Sequence, residues 1–192
     1  MSKRILVVLG HPADDSFCGA VSAAYCAGAQ GAGHEVRVLH LGALDFDPVL
    51  RHGYRQIQPL EADLLQAQQS IEWAQHLCFV YPIWWGGVPA LLKGFLDRVF
   101  VPGFAFKYRP GKAFPEQLLK GRSARMLVTM DTPPWYFKWV YRMPGVHQMR
   151  KTTLEFCGVK PVRTLAFGPI LGSTDKQRAD WLQQAQAAAG KD

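Results

Sequence analysis

Cysteine is scarce, phosphate-loop glycines are missing, and no long hydrophobic run occurs. The four cysteines, Cys18, Cys26, Cys78 and Cys157, make no CxxC pair and no Cys/His set at zinc spacing. They read as buried, reduced thiols of a cytoplasmic protein, and no metal site is expected. Neither GxGxxG nor GxxxxGKS/T occurs, which excludes a Rossmann dinucleotide fingerprint and a P-loop. No run of eighteen apolar residues appears, and Met1-Ser2-Lys3-Arg4 leads straight into Ile5-Leu6-Val7-Val8-Leu9 without a signal-like apolar region. The expectation is a soluble, unexported chain. Acidic residues are thin in one region: Phe104 to Arg163 holds 12 Lys/Arg against 3 Asp/Glu. Such a basic stretch suits phosphate-bearing cofactors, anionic substrates, nucleic acid or a membrane surface, and equally a solvated face with no special partner.

What is present fits one globular domain spanning residues 1–192, with 48% hydrophobic and 19% charged residues, enough to close a core. Apolar runs at Ile5 to Leu9, Val36 to Leu41 and Leu77 to Tyr81 alternate with segments of helical periodicity, the pattern of βαβ units and a parallel sheet. The spacing predicts helices from Ser16 to about Ala32, from Leu60 to Ala74, from Val88 to Phe100, over much of Val146 to Phe156, and from Thr174 to Ala189. Met126 to Thr129 and Arg163 to Phe167 complete five strands. The fold class is therefore α/β: a three-layer αβα sandwich with a five-stranded parallel sheet. Its ligand is expected beyond the carboxyl ends of the strands, where the strand order reverses.

The loops at that edge are chemically unusual. After the first strand comes Gly10-His11-Pro12-Ala13-Asp14-Asp15-Ser16-Phe17-Cys18. Ser16 stands at an N-cap position, and the N–H groups behind it with His11 suit a phosphate at a helix N-terminus, although capping alone accounts for Ser16 as well. Asp14 and Asp15 would suit Mg²⁺ in a phospho-receiver domain, but that reading needs a carboxylate after the third strand, where Tyr81-Pro82-Ile83-Trp84-Trp85 offers none. The tryptophans followed by Gly86-Gly87 read as a stacking wall for a planar aromatic cofactor or, more plainly, as core packing.

These residues resemble the NAD(P)H:quinone oxidoreductases (DT-diaphorase-like) of the flavodoxin-like superfamily. The resemblance is carried by Gly10-His11-Pro12 with Ser16-Phe17, by Phe46-Asp47-Pro48, by Tyr81 to Phe100, by Gly103-Phe104-Ala105-Phe106 and by Leu154-Glu155-Phe156-Cys157-Gly158. It implies the strand order 2-1-3-4-5 for the sheet, and an NAD(P)H dehydrogenase (quinone) that uses FAD or FMN, with NAD(P)H as co-substrate and a ping-pong hydride transfer to a quinone or other planar acceptor. By the same resemblance His11, Ser16, Phe17 and Cys18 would contact the flavin phosphate and ribityl chain. Pro82, Ile83, Trp84, Trp85, Gly86 and Thr129 would border its ring system. Trp85, Phe104, Phe106 and Tyr108 would meet substrate, some of them in a partner's pocket, since the family works as homodimers. Its catalytic tyrosine and histidine map to Tyr136 and His147.

The chain departs from the family where a Thr-Thr-Gly-Gly loop becomes Thr129-Met130-Asp131-Thr132-Pro133-Pro134. The aromatic, basic run Trp135 to Arg142 that follows reads as a lid, a dimer interface or a peripheral membrane contact; nucleic acid is not an expected partner, because no recognised motif accompanies it. Azo or nitroaromatic reduction, and a flavin-binding regulatory subunit of a potassium-efflux system, are the alternative functions. Flavin and nicotinamide carry the hydride chemistry themselves, so stacking and hydrogen bonding are what the chain must supply.

Overall fold

The computed structural model describes residues 2–192. Along the chain run β1 (Arg4–Leu9), α1 (Phe17–Gly31), β2 (Glu35–His40), α2 (Ala62–Trp73), β3 (His76–Pro82), α3 (Ala90–Val99), β4 (Phe106–Lys107), β5 (Glu116–Gln117), β6 (Ser123–Thr129), α4 (Pro134–Trp139), α5 (Pro144–His147), β7 (Val162–Phe167) and α6 (Asp175–Ala189). The main sheet has the order β2-β1-β3-β6-β7, and every pairing in it is parallel. This is the expected 2-1-3-4-5 order once the small antiparallel ribbon of β4 and β5 is set aside.

Helices cover both faces of this sheet, so its inner strands are apolar without alternation. Ile5, Val7 and Leu9 face Val21, Tyr25, Ala29, Ala185 and Ala189 of α1 and α6. Leu6 and Val8 face the other way, into a larger cluster with Leu64, Ile71, Phe79, Leu92 and Phe95 around α2 and α3. The small residues of α1 serve helix contact as well as sheet contact: a Cβ at Gly28 would lie 2.2 Å from the Gln186 carbonyl oxygen of α6. Ser16 caps α1 by accepting from the Gly19 N–H, and Thr174 with Gln177 forms a capping box on α6.

Several boundaries differ from expectation. The third helix begins at Ala90, with Pro89 as its cap. The expected helix over Val146 to Phe156 is instead the short α5 running into a π-helical stretch, Gln148–Leu154. The helix α4 and the two-residue strands of the ribbon were not anticipated. Three cysteines are buried as expected; Cys26 is only partly so, and all four are free thiols.

The two ends of the sheet have different chemistry. At its amino end the Asp192 carboxylate accepts hydrogen bonds from Arg125 and, at 2.9 Å, from the Tyr25 hydroxyl, while Lys3 Nζ donates to the Asp192 carbonyl. His76 shares this nest, with Nδ1 2.7 Å from Ser123 Oγ and Nε2 3.5 Å from the Asp192 carboxylate. Burial brings the His76 imidazole down to about 4, against the opposing pull of Asp192. Burial pushes the Asp192 carboxyl up, but the Arg125 hydrogen bond, the neighbouring charges of His76 and Arg125 and the Tyr25 hydrogen bond together outweigh it and hold the group below its ordinary value. Away from the sheet, the buried Arg98 of α3 ties down the loop before α2 by donating to the Glu61 carboxylate and to the Asp47 and Pro59 carbonyls.

Candidate functional site

At the carboxyl end, β1 and β3 lie side by side while their connections leave in opposite directions, through α1 toward β2 and through α3 toward β6. That divergence opens the crevice in which ligands of doubly wound sheets bind. A cavity of about 200 Å³ lies there, lined by His11, Ser16, Phe17 and Cys18, by Pro82, Ile83 and Trp84, by Thr129, Met130 and Asp131, and by Ile170. Its walls are fixed by backbone bonds that prolong the sheet: Ile83 N–H donates to the Thr129 carbonyl (2.7 Å) and Met130 N–H to that of Phe167 (3.0 Å). Ile170 N–H in turn donates to the Met130 carbonyl at 3.1 Å.

His11 is oriented by its own loop. Its Nδ1 lies 2.8 Å from the Ala13 carbonyl and 3.0 Å from the Ala13 nitrogen, two contacts that are alternatives set by the tautomer. Either one leaves Nε2 as the nitrogen available to a ligand. The imidazole meets the Trp84 ring edge-on, with centroids 5.5 Å apart. Ser16 Oγ donates to the Ala13 carbonyl (2.9 Å) and accepts from Gly19 N–H (3.2 Å), so its capping role is filled while the first N–H groups of α1 face the cleft end of the helix. Cys18 Sγ lies 3.1 Å from Thr129 Oγ1. Burial pushes this thiol up to about 11, against a smaller lowering by the Thr129 hydrogen bond, which keeps it neutral and unfit as a nucleophile.

Two cleft residues missed by the sequence reading come from the loop that departs from the family pattern, Met130 and Asp131; a third, Ile170, follows the last strand. The only available signal for Ile170 was its place just beyond a strand's carboxyl end. Asp131 Oδ1 accepts from the Leu171 N–H at 2.7 Å and so joins two of the cleft's loops. Arg178 of α6 stands at the rim, its guanidinium 5.9 Å from the Phe17 ring centroid and its Nε donating to Ser173 Oγ at 2.8 Å.

Trp85 and Gly86 form the tip of a tight turn, with reciprocal bonds between Trp84 and Gly87 of 3.1 and 2.9 Å. Both have positive φ, 51° and 75°, as a type I′ turn demands. This lifts the Trp85 side chain fully into solvent beside the cleft. A Cβ on Gly86 would meet only Pro144 Cγ, at 3.6 Å.

The remaining expected residues lie elsewhere in the same chain. Phe104 lines a separate cavity of about 600 Å³ beside the loop before α2. Phe106 and Tyr108 line another of about 410 Å³ with Phe156, and the Phe106 ring packs edge-on against both Tyr108 (5.5 Å) and Phe156 (5.1 Å). Phe156 was part of the recognised motif but was not expected at a site. Tyr136 is half-buried on α4 between Trp135 and Tyr141, and His147 is exposed at the end of α5. Neither lines the cleft.

A profile for the Flavodoxin_2 family, described as a flavodoxin-like fold, matches residues 3–191. The chain belongs to this family. As a Flavodoxin_2 protein it is a homologue of the NAD(P)H quinone reductases over most of its length. It is 29% identical to the ribosyldihydronicotinamide dehydrogenase [quinone] of Pongo abelii, with 96% of this chain and 91% of that one covered. It is 30% identical to an uncharacterised NAD(P)H oxidoreductase of Haemophilus influenzae, covering 94% and 91%. Among solved structures, the NAD(P)H:quinone oxidoreductase from Methanothermobacter marburgensis superposes with a TM-score of 0.83 at 26% identity, covering 100% and 97%.

Proposed function

We propose that this chain is a flavin-dependent NAD(P)H:quinone oxidoreductase. The observation that carries the proposal is the convergence, in one cleft at the strand-order reversal, of residues far apart in sequence: His11, Ser16, Phe17 and Cys18, then Pro82 to Trp84, then Thr129. The donor chemistry suits a phosphate on a planar aromatic group. The first N–H groups of α1, His11 Nε2 and the Arg178 guanidinium would hold the phosphate. The backbone of Pro82 to Gly86 and of Thr129 to Asp131 would border the ring, with Trp84 as its apolar wall and Trp85 at the edge. A bound flavin, FAD or FMN, supplies the capacity to accept a hydride from NAD(P)H and pass it to a quinone. The chain's own part is to bind, orient and shield. Burial keeps the Cys18 thiol neutral, so it does not serve as a nucleophile.

A cavity of about 200 Å³ is smaller than the roughly 300–1,000 Å³ of a complete small-molecule site. This favours a second wall from the partner in a homodimer: Phe104, Phe106 and Tyr108, together with Phe156, would face the partner's cleft rather than their own. The open space at Gly86 favours broad acceptance of planar substrates, azo and nitroaromatic compounds included.

Reconstitution with FMN and with FAD, followed by anaerobic NADPH, tests the reading. Flavin bands that remain with the protein after desalting and bleach on NADPH addition are expected. Loss of the flavin on desalting would remove the site assignment, and a retained but unbleached flavin would favour the regulatory-subunit alternative.

A further inference from the structure

The segment from Thr132 to Leu154 contains Lys138, Arg142, Arg150 and Lys151 and no Asp or Glu. Most of its aromatic residues are not absorbed into the core: Trp135, Trp139 and Tyr141 are exposed, Trp139 at 72%, as is the neighbouring Val140, and Tyr136 is half-buried. Of these aromatic residues only Phe137 is buried, as the anchor of α4. The segment is joined to the Trp84–Gly87 turn by a chain of backbone bonds, Met143 N–H to the Phe137 carbonyl (3.0 Å) and Gly145 N–H to the Gly86 carbonyl (2.9 Å). Trp85 and the α4 aromatics thus share one rim at the mouth of the cleft.

The three non-glycine residues with positive φ among the described residues, Trp85, Arg142 and Met143, all lie on this rim. Left-handed backbone at bulky residues is costly, and it is characteristic of functional segments. The charge of the rim is not internally cancelled. Arg150 and Lys151 are paired with Glu155 at 2.9 and 2.8 Å, and Asp131, which accepts from the Leu171 N–H, makes no ion pair with a described cation of the rim. Lys138 lies over the Trp139 ring, 4.9 Å from its centroid. No carboxylate lies within ion-pair distance of Lys138 or Arg142 among the described residues.

We infer that this rim docks on the surface of an anionic phospholipid bilayer. Exposed Trp and Tyr interleaved with unpaired Lys and Arg match the two layers of such a surface, an apolar boundary under a negatively charged headgroup region. Docking there would hold the outer edge of the cleft, Trp85 and α4, beside the membrane while a partner's wall covers the opening itself, so that quinones dissolved in lipid are acceptors close at hand. The choice of acceptor rests on the quinone reductase reading above; the docking itself rests on the rim alone.

Co-sedimentation with phosphatidylcholine vesicles, with and without phosphatidylglycerol, tests it on the flavin-reconstituted protein. Binding is expected only to the anionic vesicles at low salt and is lost at about 1 M salt, where screening acts within about 3 Å. Each basic side chain neutralised should weaken binding about fivefold, so Lys138→Gln with Arg142→Gln together weaken it about 25-fold; Trp139→Ser should weaken it further. Turnover of a water-soluble quinone should be unchanged in these variants, which separates a docking failure from a failure of the reductase reading. Absence of binding to anionic vesicles at low salt, equal binding to neutral ones, or unaltered binding by all the variants would overturn the inference. So would a change of oligomeric state in Trp139→Ser, measured by sedimentation velocity, without vesicle binding by the parent protein; the rim would then belong to a contact between two copies.

Discussion

Lowering the pH should destabilise this protein through one histidine well before its carboxylates protonate. His76 is 2% exposed, and burial sets its folded pKa at about 4 against an ordinary 6.5. A group held below its unfolded pKa in this way is a neutral imidazole in the fold and a protonated one in the unfolded chain. The unfolded state therefore binds the extra proton between those two values. Stability is full above about pH 6.5 and declines until about pH 4, and a gap of that size corresponds to about 3 kcal/mol. Urea denaturation followed by far-UV circular dichroism at steps from pH 7.5 to 4.5 measures the decline. His76→Asn, which keeps a side chain able to bond Ser123, should be less stable at neutral pH yet show a flatter profile. General repulsion from the net charge of +7 acts on both proteins alike, so the difference in slope isolates the imidazole. A parent protein as stable at pH 4.5 as at 7, or a variant with an unchanged slope, would refute the reasoning. Asp192, held below its ordinary value, adds its own loss at still lower pH.

Arg98→Ala removes the donor to Glu61 and to two loop carbonyls. It should cost roughly 3 kcal/mol, the low end for a buried pair because Glu61 retains a third of its exposure; an unfolding free energy lowered by less than about 1 kcal/mol in urea would contradict the account. Gly86→Phe has space for its ring but must adopt a positive φ, so a stability loss of about 1–2 kcal/mol is expected. Steady-state kinetics across small quinones and bulky azo dyes should show the bulky acceptors lost first, and an unchanged acceptor profile would count against the geometry.

The sheet was legible because Ile5 to Leu9 and Leu77 to Tyr81 are buried on both faces and hence read as unbroken apolar runs. The start of β6 was hidden for the opposite reason. Ser123 and Arg125 read as loop residues, and Arg125 sits in a central strand only because Asp192 returns to it across 67 positions. Similarly, α4 carries Pro at its first position, a usable start signal, but its aromatic content suggested surface function more than helix. The π-helical stretch breaks the period on which helix reading depends, and strands of two residues have no alternation to detect. Within the cleft, strand-end loops and a cap residue pointed to His11, Ser16 and Ile83; Ile170 had only its place just beyond the last strand to mark it. The resemblance supplied roles for Tyr136 and His147 that this chain's altered strand-four loop does not place at the cleft.

The carboxylate that neutralises Arg125 also sets an order of events during synthesis. Arg125 leaves the ribosome well before Asp192, and a central strand of an all-parallel sheet waits for its crossover partners in any case. Until Asp192 arrives, seating β6 would bury a guanidinium without its counter-ion. The nascent chain can thus assemble β1, β2, β3 and their helices early, while closure of the far half of the sheet is held back. On this reasoning completion of the cleft, whose Thr129 to Asp131 wall sits on β6 and the loop just beyond it, would come late in folding and together with the seating of Asp192.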